Sequence, residues 1–138
     1  MPTTWKRSLL EKQLDVPNVR LDDRVELVLG VPIAQLRTET ELQQFLDNLD
    51  EARDLTIKER ADATDALGKV QKRMRGIQAR YVGNLKPTQA ERSYKADDEH
   101  SSLEELATSL DAVIRYCDSI HEVLRDKYFR TTNKLKSA

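Results

Sequence analysis

The sequence predicts an all-α protein: a long antiparallel helical hairpin over about 39–82 and 102–136, preceded by short N-terminal helices and oligomeric. Three observations predict it. Between Thr38 and Val82 there is no proline, and Gly68 and Gly76 are the only weak helix formers. From Leu103 onward apolar residues recur at 103, 106, 110, 113, 117, 120 and 124, in alternating steps of three and four. The composition, with 34% charged and 5% aromatic residues, four glycines and four prolines in 138 residues, is poor in strand and turn formers. An apolar share of 38% fills a narrow helical seam rather than a thick core, so self-association is expected to complete the burial.

Residues 1–37 form the less regular N-terminal part, and 38–138 the hairpin domain. Trp5, Leu9, Leu10 and Leu14 have helical spacing, and Pro17 breaks that segment. Residues 21–29 read as a second short helix with Asp22 and Asp23 in its first turn, although its Val and Leu content also permits a strand. Gly30 and Pro32 end it. Thr38 followed by Glu41 is a capping-box spacing and opens the long helix. Leu42, Phe45, Leu49 and Ala52 make one apolar series; Leu67, Val70, Met74, Ile77 and Tyr81 make another, out of phase with the first. A stutter or kink is therefore expected near the middle. Gly83, Asn84 and Pro87 stop the helix. Thr88 with Glu91, and Ser101 or Ser102 with the glutamates after them, suggest caps for a short helix to about Ala96 and for the last helix.

No apolar run approaches the roughly 20 residues of a membrane span, and the first residues lack a hydrophobic stretch of signal type. Cys117 is the only cysteine, so no internal disulfide forms, and a reducing, cytoplasmic setting is expected. The net charge of −1 excludes a globally basic nucleic-acid binder but not a local basic surface.

Charge is distributed in blocks. Residues 39–65 carry nine acidic and three basic side chains, 69–95 one and eight, 97–122 eight and one, 125–136 one and five. An antiparallel hairpin turning near residue 92, with 81 opposite about 103 and 60 opposite about 124, sets each block against its opposite. The blocks thereby favour one orientation and register. The basic set is Lys69, Lys72, Arg73, Arg75, Arg80, Lys86, Arg92 and Lys95. Lys69, Lys72, Arg73 and Arg80 gather away from the Val70–Met74–Ile77 stripe, and Lys86, Arg92 and Lys95 lie beyond the helix end, so the tip of the hairpin is expected to stay cationic. Tyr81 and Tyr94 accompany it. Cations with rings suit single-stranded nucleic acid, because cations neutralise phosphates and bases stack on rings; Tyr81 also fits the apolar seam.

The run Asp97-Asp98-Glu99-His100 reads as negative charge at a helix N-terminus rather than a metal site, since its residues do not converge on one helical face. Cys117 and His121 stand four apart, but Cys117 falls on the apolar seam, where a structural thiol is the ordinary case. There is no phosphate-binding glycine loop, nucleophile elbow or HExxH. The chain is expected to be a binder or assembler rather than an enzyme, with no cofactor and no metal.

Residues 69–136 resemble the phage recombination mediator family of the UvsY type. The likeness lies in "IQARYVGN" (77–84), in "ERSYKADDEH" (91–100) and in "SLDAVIRYCDSIHEVLRDKYFRTTNKL" (109–135). Ala79 and Arg80 match the family's Ala-Arg pair, whereas Gln78 stands in place of its Lys and Tyr81 in place of its Leu. The resemblance implies a non-enzymatic, single-stranded-DNA-binding homo-oligomer. It would help load a RecA-like recombinase onto strands covered by single-strand binding protein, in the cytoplasm of a bacterial host. It implies phosphate contacts from the basic tip and assembly through the last helix, for which the stripe supplies Leu103, Leu106, Leu110, Val113, Ile114, Ile120, Leu124 and Tyr128. The alternative is a helical-hairpin structural or adaptor protein that binds protein partners and no nucleic acid. It is favoured if the basic side chains pair with Glu104, Glu105 and Asp111.

Overall fold

A computed structural model describes residues 22–137. Four α-helices follow in order: α1 (Asp23–Leu29), α2 (Glu39–Val82), α3 (Pro87–Ala96) and α4 (Asp98–Ser137), with a 3₁₀ turn at Ile33–Gln35 between α1 and α2. No strand occurs among the described residues, so the strand reading of 21–29 gives way to helix. The predicted helix over 3–14 lies outside the described residues.

Helices α2 and α4 pack antiparallel as the predicted hairpin. At 44 residues α2 is roughly 66 Å long. Its start is the capping box read from the sequence: the Thr38 hydroxyl accepts the Glu41 backbone N–H, and the Glu41 carboxylate accepts from the Thr38 N–H. The expected phase change inside α2 does not occur. Positions 42, 45, 49, 52, 56, 63, 66, 70 and 77 are all buried and belong to one three-four series. Small side chains, Thr56, Ala63 and Ala66, occupy the middle of the seam, and they read as a gap because an apolar scale gives them little weight. Thr56 is admitted because its hydroxyl donates to the Ala52 carbonyl at 2.8 Å. Of the second series, Val70 and Ile77 belong to this seam, and Leu67, Met74 and Tyr81 flank it half-buried. This is the drift that a helix of 3.6 residues per turn shows against a 3.5 repeat.

Two of the predicted helix starts are also corrected. Pro87 is the first residue of α3, and Lys86 at its N-cap makes no side-chain cap, so Thr88 does not open the helix. Pro87 suits that position because its missing N–H is one the helix leaves unpaired. Helix α4 begins at Asp98 rather than near 102, because Asp97 already caps it. Its carboxylate accepts the His100 N–H at 3.2 Å and its carbonyl accepts the Ser101 N–H at 2.9 Å. The earlier start moves the register. Arg60 meets Asp118, Gln78 meets His100 and Tyr81 meets Asp97, which centres the turn near residue 89 instead of 92.

The core has two clusters. One, toward the tip, joins Ala63, Ala66, Val70 and Ile77 to Leu103, Leu106, Leu110, Val113 and Cys117. The other, toward the base, joins Phe45, Leu46, Leu49 and Ala52 to Ile120, Leu124 and the α1 residues Val25 and Val28. Residues 22–37 thus dock on the hairpin. Asp22 caps α1 through the Arg24 N–H, and the Arg24 guanidinium reaches Glu51 of α2. Lys127 donates to the Val31 carbonyl and Lys134 to the Ile33 carbonyl at 3.0 Å. These two lysines of the basic C-terminal block therefore satisfy loop carbonyls. No ion pair ties them to the acidic start of α2 among the described residues.

Candidate nucleic-acid interface

The tip is the end of α2, the turn 83–86, α3 and the start of α4. Beneath its surface a polar junction fixes how the three helices meet. The Tyr81 hydroxyl donates to Asp97 Oδ2 at 2.6 Å. That bond, with the His100 N–H behind it, holds the Asp97 carboxyl below its ordinary value, and it pushes the Tyr81 phenol above its own. His100 is buried, its Nε2 lies 3.1 Å from the Gln78 amide nitrogen, and its ring faces that of Tyr94 at 5.1 Å. The run 97–100 is therefore architectural, with Glu99 receiving Arg73. No cluster of metal-ligating side chains occurs among the described residues.

Cross-hairpin neutralisation of the basic block is confined to one residue. Arg73 places Nε at 2.7 Å and Nη2 at 2.6 Å from Glu99 Oε1, because its position in the three-four series turns it toward α4. Lys69 pairs inside α2 with Asp65 at 3.6 Å, and Lys95 inside α3 with Glu91 at 2.9 Å. The latter bond lowers the Glu91 carboxyl and raises the Lys95 ammonium. Lys72, Arg75, Arg80, Lys86 and Arg92 are exposed, and none has a carboxylate within 4.0 Å among the described residues. Arg80 is nevertheless near enough to Asp97 to help hold that carboxyl down. Glu104 and Asp111 do not meet the basic block as salt bridges: Glu104 lies beside His100, and Asp111 pairs with Arg115 of its own helix.

The aromatic half of the expected site is not on the surface. Tyr81 and Tyr94 are half-buried and packed on the tip cluster, so the exposed chemistry is cationic rather than stacking. Sequence reasoning missed two apolar side chains among those cations, Val82 and Leu85, which are 59% and 40% exposed. Val82 could have been found, since it lies five residues past Ile77 and off the seam.

The residues expected to join subunits are mostly spent inside one chain. Leu103, Leu106, Leu110, Val113, Ile120 and Leu124 are buried against α2, and Ile114 is half-buried on the tip cluster. Tyr128 is 41% exposed, because after Leu124 the seam passes to Thr131 instead of following Tyr128. Those six leucine, valine and isoleucine side chains therefore form the core of the hairpin, not a face open to a second copy. Cys117 is buried and its thiol is pushed up to about 11 by desolvation, with Glu59 and Asp118 adding to the effect, which makes it a poor nucleophile.

No helix of the described residues is long and apolar enough to cross a membrane. Comparison with known protein families, with curated proteins and with solved structures finds no match for this chain.

Proposed function

We propose that the chain binds single-stranded DNA through its cationic tip and acts, without catalysis, as a recombination mediator of phage type. The observation that supports this is the surplus of five cations without ion-pair partners among the described residues, toward one end of a long hairpin. With both tyrosines engaged in packing, binding is by phosphate contact and tolerant of sequence. The recombinase, the single-strand binding protein, assembly as a homo-oligomer and the cytoplasmic setting rest on the resemblance of residues 69–136. A second reading, an adaptor for protein partners, is favoured by exposed Val82 and Leu85 among the cations, a combination that suits an acidic segment with apolar side chains.

Anisotropy of a labelled single-stranded oligonucleotide, titrated across salt, tests the first reading. Affinity should fall linearly on logarithmic axes. Replacing Arg80, Lys86 and Arg92 together with Ala should reduce the slope by about 2, at roughly 0.7 per phosphate contact on a single strand. Arg73→Ala should change it less, because Glu99 already holds that guanidinium. Binding that is absent at low salt, or insensitive to salt, rejects the DNA reading and leaves the adaptor.

A further inference from the structure

Helix α2 packs on α4 with one face, and among the described residues the centre of the opposite face is exposed. Along the centre of that face, at a spacing of seven, run Asp47, Asp54, Ala61, Gly68, Arg75 and Val82, all of them exposed. The row is acidic at its start, small in its middle, and carries Arg75 and then Val82 beyond. We infer that this ridge is an interface between two copies of the chain, packed antiparallel about a two-fold axis at Ala61.

Charge complementarity selects that register. With Ala61 opposite Ala61, Asp47 faces Arg75, and on one flank Glu51 stands one residue from level with Lys72 and Lys58 one residue from level with Asp65, each pair occurring twice by symmetry. These three pairs join opposite charges and Asp54 lies opposite Gly68, whereas a parallel copy in register sets each residue against its own like. The axis falls at the midpoint of Glu39–Val82, so the two helices overlap over their full length. The matched stretch from 47 to 75 runs roughly 42 Å.

The middle of the ridge is built for close approach. Ala61, Thr64 and Gly68 leave a shallow strip, and Ile57 stands beside it 50% exposed. A Cβ added at Gly68 meets nothing within 4 Å, as at Gly76, so close packing inside the chain does not require a glycine at either position. Glycine in mid-helix weakens the helix, and a neighbouring backbone lying against it is one use for the space it leaves. Glu51 and Asp65 already pair with Arg24 and Lys69, but all four side chains are exposed and exchange partners at little cost. The interface does not depend on nucleic-acid binding. It uses Lys72 and Arg75 and leaves Arg80, Lys86 and Arg92 free at tips that point to opposite ends of the dimer.

Light scattering after size exclusion, without nucleic acid and at low ionic strength, reads the outcome. The wild-type chain should run at twice 15.9 kDa. Two charge-reversed variants, Asp47→Lys with Glu51→Lys, and Lys72→Glu with Arg75→Glu, should each be monomeric with unchanged far-UV circular dichroism. Mixed in equal amounts they should recover the doubled mass, and one chain carrying all four changes should recover it alone. A monomeric wild type overturns the inference. So do variants that stay associated, or a mixture that does not re-form the pair. Loss of oligonucleotide binding in the tip variant with the dimer intact would separate the two proposals.

Discussion

The two ends of the hairpin are held together by different means. At the base, large side chains from three helices meet: Phe45, Leu46 and Leu49 of α2, Ile120 and Leu124 of α4, Val25 and Val28 of α1. At the tip α2 presents smaller residues, Ala63, Ala66 and Val70 beside Ile77, to Leu103, Leu106, Leu110 and Val113 of α4, and the junction with α3 is closed by Tyr81, Asp97, Gln78 and His100. Apolar burial is nondirectional and scales with area, whereas hydrogen bonds fix geometry and contribute modestly to net stability. The base thus contributes most to holding the fold together, while the tip determines where the cations stand.

The sharpest way to break this contrast is to truncate the base. Leu49 is fully buried between α4 and the docked N-terminal segment, and Leu49→Ala should lower unfolding free energy by about 2–5 kcal/mol in a urea titration. A loss well under the low end would mean that the base is not the stabilising end. The next effect comes from overfilling the narrow middle. Ala63 has no exposed surface and opposes α4 at close range, so Ala63→Leu should cost about 1–3 kcal/mol by the same measurement. If the helices simply part to admit the extra atoms, the stability of Ala63→Leu will match the wild type and the seam is looser than its burial indicates.

A smaller effect separates the tip cluster from solvent chemistry. Cys117 has its folded-state value raised to about 11 by burial, against about 8.5 in an unfolded chain. The neutral thiol is the form the fold favours. Its contribution is complete below about 8.5 and is lost as pH rises toward about 11. Cys117→Ala should therefore lose less stability than the wild type between those values, compared by alkaline urea titrations of both. A thiol reagent should label the native wild type slowly and the unfolded chain at once.

How much of this was legible in the sequence varies with the kind of interaction. The hairpin and the Thr38 cap could be read because periodicity and capping are local properties of the chain. The continuity of α2 could not, because Thr56, Ala63 and Ala66 carry too little apolar character to show as seam residues, and only the partner helix makes their size necessary. The charge blocks gave the antiparallel orientation but not the pairing. Of the eight cations in 69–95 only Arg73 crosses to α4, since pairing requires the reach and direction of each side chain and not the sum over a segment. Asp97 was read as one of several acids at a helix start. Its bond to Tyr81 depends on a register that the turn 83–86 sets, and that turn's geometry is not written in the periodicity.

That bond supplies the finest test of the contrast between the ends. Tyr81→Phe keeps the ring on the tip cluster and removes only the hydroxyl that donates to Asp97. The folded-state value of Asp97 is depressed, so its contribution is complete above the carboxyl's ordinary value near 4 and is lost as pH falls through the lower, folded one. At neutral pH Tyr81→Phe should be less stable than the wild type by a small margin. Below about pH 4 the margin should shrink, because a protonated Asp97 no longer offers the hydroxyl a charged acceptor. Thermal unfolding of both proteins at several pH values measures this directly. The same variant should weaken oligonucleotide binding at the tip while leaving self-association along α2 untouched, because the hydroxyl orients the helix end that carries Arg80 and lies far from Ala61. A margin that is constant with pH would mean that the Asp97 contact orders nothing at the tip, and the cations there would owe their placement to packing alone.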